Sequence, residues 1–568
     1  WQMTRSPSRY TQLALLVVMA AAVGTFAATY GATTERSQEE RARFDAGVDL
    51  RVERLGRLNN YDTERITQDL GSIPGVTEAS AVYRGKAGLG PLATGGNEVT
   101  VLGVDPEATT NQVWFRDDFS GDDLSTLMQR LAGSQVATGR IDLGNAQAVS
   151  LWLNPTTSRP SATAWLRTVD AGGFWRLDEI TRLDFSGYQK FTVNFGEDVK
   201  NIQYPLQLVG IVMTQGSAQD LSRGDLLIDD IASIDASGRE TVVEDFEGGF
   251  AWDILRTPTR SRDTVSRGTG SGMAHRGQGA GRYSFLAGQS TPVRGIFVSN
   301  AQIPLAAIAS KSFLAANGLS VGKEAEVVFG NVLLPVSIQG TVDYFPTMAD
   351  DSSGFLIINA AVLEEFGQLS MQASGIHPTE AWLTVSGDAE QRAAVYDDLS
   401  ERFTINDGDV VDVEELLNSV ANDPIVRAGG SGVLLIALIA AFAILALGFG
   451  LTLYLGGQSR SLEVSVLRAV GLAPRQVFLM ICLEYLLVAA IGLVVGTIAG
   501  LRISETMLDF LNVTETGSRL LPPFALSTRW DTVAIAVAAT AVAFMVGIMA
   551  LAGYFLRLPV SRVLRMTR

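Results

Sequence analysis

The stretch RSLEVSVLRAVGLAPRQV, Arg460 to Val477, lies between two long apolar segments, with a third just downstream. Leu462, Val466, Leu467 and Val470 recur at helical spacing and form one apolar face, while Arg460, Glu463 and Arg468 stay polar. Gly471 and Pro474 are stop signals for such a helix. A short, basic, amphipathic helix held between membrane spans can only work at the membrane surface. It either anchors the loop among lipid headgroups or offers its apolar face to a soluble partner.

The spans follow from length and hydropathy. A helix needs roughly 20 apolar residues to cross the hydrocarbon core, and Leu13 to Gly31, Val433 to Leu455, Val477 to Leu501 and Thr532 to Leu556 come close to that. The first span is placed at 10–32; a cleaved signal peptide competes for it, because small residues surround Ala27 and Ala28. Basic flanks set the orientation. Arg5 and Arg9 precede the first span, Arg460, Arg468 and Arg475 separate the second and third, and Arg557, Arg562, Arg565 and Arg568 follow the fourth. Both termini and the Arg460 loop are therefore expected inside, and the region from Thr33 to Gly430 outside. Membrane lipids are implied partners.

Composition agrees with a membrane protein that has a large wet part. The chain is 47% hydrophobic yet carries a net charge of -16, so the two properties must be segregated along the sequence. An acidic balance argues against nucleic acid, whose phosphates need Lys and Arg. The single cysteine, Cys482, sits in an apolar segment, which leaves the wet region without a disulfide. No G-x-x-x-x-G-K-[ST] run cradles a phosphate, and the two histidines, His275 and His377, lack the spacing of a zinc site. An enzyme is not expected.

The outer region reads as a split domain with an insertion. Residues 33–130 and 289–430 show alternating strands such as VDLRV and EVTVLGVD, and a helix from Thr63 to Gly71 capped by Asp62. Residues 131–288 change texture to short aromatic strands, among them SLWLN, KFTVNF and DLLIDDIASID, the pattern of a β-sandwich or jelly roll. The Gly-rich run RGTGSGMAHRGQGAGR, Arg267 to Arg282, reads as a long mobile loop at its end. The fold class is thus an α+β membrane protein with four transmembrane helices and a large extracytoplasmic domain between the first two, interrupted by a β-sandwich.

Two features mark the third span. Gly492, Gly496 and Gly500 repeat every four residues, so one face lets another backbone approach closely, either the Ala-rich fourth span or a second membrane subunit. Glu484 is the acid well inside it, about two turns from the edge, and reads as paired with an Arg rather than as a proton relay.

The outline of one span, a large outer domain and three further spans, with Arg460, Glu463, Leu467, Arg468, Ala469 and Gly471 in the register R-x-x-E-x-x-x-L-R-A-x-G, resembles the FtsX-like permeases of ABC transporters, including the MacB and lipoprotein-releasing branches. The resemblance covers the four spans, with the permease domain at 431–568, and the split outer domain, about Thr33 to Phe119 plus Ile296 to Phe403, but not the sandwich. It implies that the Arg460 to Gly471 helix couples to a separate ABC ATPase, which holds ATP and Mg while this chain holds no cofactor. It also implies a second permease unit, as a homodimer or as the other half of a longer chain. The opening WQMTRSPSRY, without an initiating Met, suits the second half of such a chain and equally a cloning or processing scar. The implied location is a bacterial plasma membrane. The implied work is export of a lipid, peptide or lipoprotein, or activation of an outside partner.

Within the insertion, DLLIDDIASID followed by VVEDFEGGFAW resembles the closing strands of galactose-binding-like jelly rolls. That resemblance makes Asp229, Asp230 and Asp245 candidates for a structural calcium, which favours oxygen ligands, against the plainer reading of solvated turn acids. Trp152, Trp165, Trp175 and Trp252 are candidates to stack on sugars, although Trp in strands more often fills a core. The alternative function is therefore a membrane-anchored glycan-binding or adhesion protein.

Overall fold

The computed structural model describes residues 7–55, 63–89, 98–133, 139–196, 201–215, 223–255, 263–285, 293–299, 304–329, 332–348, 353–369, 377–387, 389–403, 405, 407–422, 471–511 and 520–557, with scattered positions between 432 and 451. The chain divides into two compact units, Trp1–Asp45 with Glu414–Arg568, and Ala46–Val413.

In the first unit, three helices among the described residues are long and apolar enough to cross a membrane. The first, Pro7–Ala46, has 40 residues. At about 1.5 Å per residue it is twice as long as the ~30 Å hydrocarbon core requires. The helix does not stop at residue 32, where the span is expected to end. Beyond Gly31 the run ATTERSQEERARFDA is rich in helix formers, and Arg36–Glu40 and Glu39–Arg43 pair across one turn at 2.6 and 2.7 Å. Hydropathy marks where a membrane ends, and the helix continues past that point. The other two helices are Pro474–Leu511 and Trp530–Arg557. Of the expected second span, 433–455, only scattered positions are described.

These helices share one core, in which Leu13, Val17 and Ala20 meet Val477, Tyr485 and Val488 of the second helix and Phe544 and Ile548 of the last. The segment 520–529 runs beside the polar part of the first helix. Thr33 Oγ1 donates to the Ser527 carbonyl at 3.3 Å and accepts from the Ser527 amide at 3.2 Å. The Arg41 guanidinium lies 4.8 Å from the centre of the Phe524 ring, and Arg529 pairs with Glu35 at 3.4 Å.

The second unit begins at Ala46, and Gly47, with a φ of +79°, ends the helix in a conformation that suits glycine. Its mixed sheet follows the order Glu324–Phe329, Val332–Val342, Leu305–Ser310, Phe355–Asn359, Glu98–Val104 and Val76–Leu89. The ring closes where Ala87 to Leu89 pair with Phe329 to Val327. Strand Val76–Leu89 is long enough, at 14 residues, to leave the ring and pair its first half with Glu380–Val385. Leu50–Val52 and Val410–Asp412 continue that extension and pair with each other, so the chain enters and leaves this unit on neighbouring strands. Helix Thr63–Gly71 packs Ile66 and Leu70 against it, as the periodicity predicts.

The insertion forms two antiparallel sheets. One runs Thr264–Thr269, Gly279–Phe285, Gly224–Ile234, Ala148–Pro155, Gln189–Asn194; the other runs Trp252–Ile254, Val293–Val298, Leu206–Gln215, Arg159–Val169, Trp175–Leu183. Leu151, Leu153, Ile228 and Tyr283 of the first share a buried core with Ala164, Leu166, Ile211 and Ile296 of the second. Both expected boundaries shift. Leu131 belongs to helix Leu124–Ala132, capped by Asp123, and is buried in the mixed-sheet core beside Leu127 and Val342. Val293–Val298 lies beyond the expected end at 288 yet pairs with Leu206–Gln215. Alternation marks a strand without saying which sheet takes it.

The Gly-rich run is corrected too. Its ends are paired strands, Thr264–Thr269 and Gly279–Phe285. Glycine is needed there for approach rather than for mobility: a Cβ on Gly281 would stand 2.7 Å from the Phe246 ring.

The insertion meets the mixed-sheet part at helix Ala360–Leu369. Arg167 donates to the Gln368 carbonyl at 2.6 Å and to its side-chain oxygen at 3.2 Å, while the Arg140 guanidinium stands 3.8 Å from Glu365.

Candidate functional site

Three places carry the candidate residues. The first is the loop before helix Pro474–Leu511. Arg460, Leu462, Glu463, Val466, Leu467, Arg468 and Ala469 lie outside the described residues. The far edge of the loop is described. Gly471 takes a φ of +104°, which favours glycine. Pro474 then opens the helix, where its missing N–H costs nothing, and the Gln476 side chain accepts from the Ala473 amide at 3.0 Å. The stop signal of the loop is thus also the start signal of the next helix.

The second place is the glycine face of that helix. It meets the first helix, which was not among the partners expected for it. A Cβ on Gly492 would stand 2.9 Å from Val17 Cγ1, one on Gly496 would stand 2.6 Å from the Val18 carbonyl oxygen, and one on Gly500 would stand 2.6 Å from the Ala22 carbonyl oxygen. The three glycines therefore set the distance between two backbones over two turns. Glu484 lies on the same helix, partly buried, ten residues after Pro474 and so about 15 Å along it.

The third place is on the insertion. Strand Gly224–Ile234 is irregular between Asp229 and Ala232, and Asp230 sits at a φ of +45°. The bulge presents two adjacent carboxylates to the Gly-rich segment. Asp229 is fully buried, and its carboxylate accepts from the amides of Asp230 at 2.9 Å, His275 at 2.7 Å and Arg276 at 3.2 Å. Burial pushes its carboxyl up while those amides pull it down. His275 Nδ1 lies 3.3 Å from Asp230, and its ring stacks on Trp152 with centres 3.6 Å apart and planes 14° off parallel. Tyr188 donates to the Met273 carbonyl, and burial beside Asp229 and Asp230 pushes its hydroxyl well above the usual range.

This arrangement binds a loop. Asp245 lies apart from it and accepts from the Glu247 amide at 2.9 Å. Among the described residues no three His, Cys, Asp or Glu side chains converge to hold a metal. The tryptophans are engaged within the protein. Trp252 is buried in the core and donates to Glu244 at 3.2 Å, Trp165 donates to Thr214 at 2.9 Å, and Arg167 lies 5.4 Å from the centre of the Trp175 ring. His275 had no partner legible in sequence. A lone His inside a Gly-rich run was the one signal.

Residues 434–560 match the family described as FtsX-like permease C-terminal. No curated protein matches the chain. The match covers the two later apolar helices with their glycine face, and it spans the loop that carries the R-x-x-E-x-x-x-L-R-A-x-G run. The chain is therefore consistent with the FtsX-like permease family, whose members are membrane components of ABC-transporter type that work with an ABC ATPase and are not typically enzymes.

Proposed function

We propose that this chain couples ATP hydrolysis on a separate cytoplasmic ATPase to movement of its large domain on the other side of the membrane. Closure of the ATPase pushes the Arg460 to Gly471 helix, the spans tilt, and the large domain moves without a central pore opening. The outcome is extrusion of a lipid, peptide or lipoprotein, or activation of an outside partner, by a pair of permease units. The observation that carries this reading is the family match across 434–560 with the signature run inside it. The pairing of Leu50–Val52 with Val410–Asp412 supports transmission, because a pull on either end of the domain reaches the same sheet edge.

Purification of the tagged chain in mild detergent tests the proposal: an ABC ATPase is expected to co-purify. Leu467→Asp is expected to lose it while the spans stay inserted. A carboxylate pressed unpaired into an apolar groove costs more than about 2 kcal/mol, which weakens the association more than tenfold. Unchanged co-purification and unchanged ATPase stimulation in that variant would refute coupling through this helix.

A further inference from the structure

Glu365 is buried at 5% exposure on helix Ala360–Leu369, and among the described residues neither carboxylate oxygen has a hydrogen-bond donor. A native protein rarely leaves such a group unsatisfied without a use for it. The cations beside it come from the insertion. Arg140 stands 3.8 Å away, too far for a hydrogen bond, and is also held by Gln207 at 3.2 Å. Arg167 is bound one turn further on, at Gln368. Glu364, the adjacent acid, accepts instead from the Thr63 amide at 3.4 Å. A charge placed on Glu365 would thus be buried at the joint between insertion and helix, facing, among the described residues, one distant cation.

We propose that this joint is proton-operated: the insertion stays docked on helix Ala360–Leu369 while Glu365 carries a proton and is released when Glu365 gives it up. The electrostatics agree, since burial pushes the carboxyl up to about 8 and Arg140 pulls it only partly back. In the undocked state Glu365 is hydrated and titrates near the ordinary value of about 4.3. The docked state therefore holds a proton that the undocked state has lost between those two values. Docking is fully favoured below the lower one, weakens by up to about tenfold per pH unit as pH rises, and levels off above the upper one. This inference does not depend on the proposed transport activity.

The test uses the full chain in lipid nanodiscs, in a Cys482→Ala background with spin labels at Ser237→Cys on the insertion and Ala315→Cys on the mixed-sheet part, both exposed positions. The distance distribution is expected to be narrow at pH 6 and to broaden steadily up to about pH 8, then to stop changing. Glu365→Gln, which is neutral at every pH, is expected to stay narrow throughout. Arg140→Gln removes the one cation among the described residues that favours the ionised form, so its plateau is expected at higher pH than in the parent. The infrared band of a protonated carboxyl, present at pH 6 and absent from Glu365→Gln, reports the titration itself. A band that titrates while the distances stay fixed would overturn the proposal, as would broadening that Glu365→Gln shares.

Discussion

Gly496→Ile is the sharpest test of how the membrane helices are held together. The Cβ would arrive 2.6 Å from the Val18 carbonyl oxygen and 2.7 Å from Ala21 Cβ, whereas ordinary contact begins at 3.4 Å. The obstacle at Val18 is backbone, so no rotamer change relieves it, and the two helices must separate by roughly 0.8 Å at that level. A gap of about 0.5–1 Å forfeits a quarter to a half of each dispersion contact, and each contact is worth only about 0.1–0.2 kcal/mol. Over the ~40–60 contacts that a single buried Leu would make, that amounts to about 2 kcal/mol, in line with the ~1–3 kcal/mol typical of overpacking. Gly492 and Gly500 sit on the same face, so part of the loss spreads to them. The control is Gly553→Ile on the last helix, where an added Cβ meets nothing within 4 Å. Heating the detergent-solubilised protein and following monodisperse material by fluorescence size-exclusion should place Gly496→Ile several degrees below both the parent and Gly553→Ile. Equal melting of the two variants would refute the assignment of this face to the first helix.

Asp229→Ala removes the acceptor of three amides, so it is expected to destabilise the insertion by about 1–3 kcal/mol and to expose the 270–277 segment to protease, with Asp229→Asn partly restoring protection. Because those oxygens already accept from amides, millimolar calcium is expected to leave the melting midpoint of the insertion unchanged; a concentration-dependent rise would instead place a metal among Asp229, Asp230 and Asp245. In a Cys482→Ala background, Ser217→Cys is expected to react with an impermeant thiol reagent on intact cells and Ser459→Cys only after the membrane is opened. Labelling of both from the same side would overturn the proposed topology.

The residues that could be placed from sequence are those whose environment is local. Apolar runs announce the helices Pro474–Leu511 and Trp530–Arg557, and Ile66 and Leu70 at helical spacing announce Thr63–Gly71. The R-x-x-E-x-x-x-L-R-A-x-G run is equally local, which is why it pointed to the same family as the match over 434–560. Residues defined by what faces them were not legible. Spacing shows that Gly492, Gly496 and Gly500 form a thin face, but a face of glycines carries no mark of its partner, and the first helix lies over 450 residues earlier in the chain. The same residue type misled in the insertion, where Gly279 and Gly281 read as loop because glycine weakens every periodic pattern; only the position of Phe246 reveals that they are strand residues kept small.

Glu365 marks the limit of local reading most sharply. In the sequence it is one of two adjacent acids in VLEEF, and helical periodicity puts Val362, Leu363 and Phe366 in the core without distinguishing the acids between them. Glu364 and Glu365 differ in their long-range partners: one reaches the Thr63 amide, and the other is buried with Arg140 of the insertion 3.8 Å away. Burial pushes the Glu365 carboxyl up, and the Arg140 guanidinium, more than 200 residues earlier in the chain, only partly offsets it. An insertion placed in a loop is neutral when it merely hangs there. On the proposed docking it covers Glu365 and makes the helix beneath it sensitive to protons, so excision of the insertion should return Glu365 to the ordinary carboxylate range, and a carboxyl that stays raised without the insertion would refute that role.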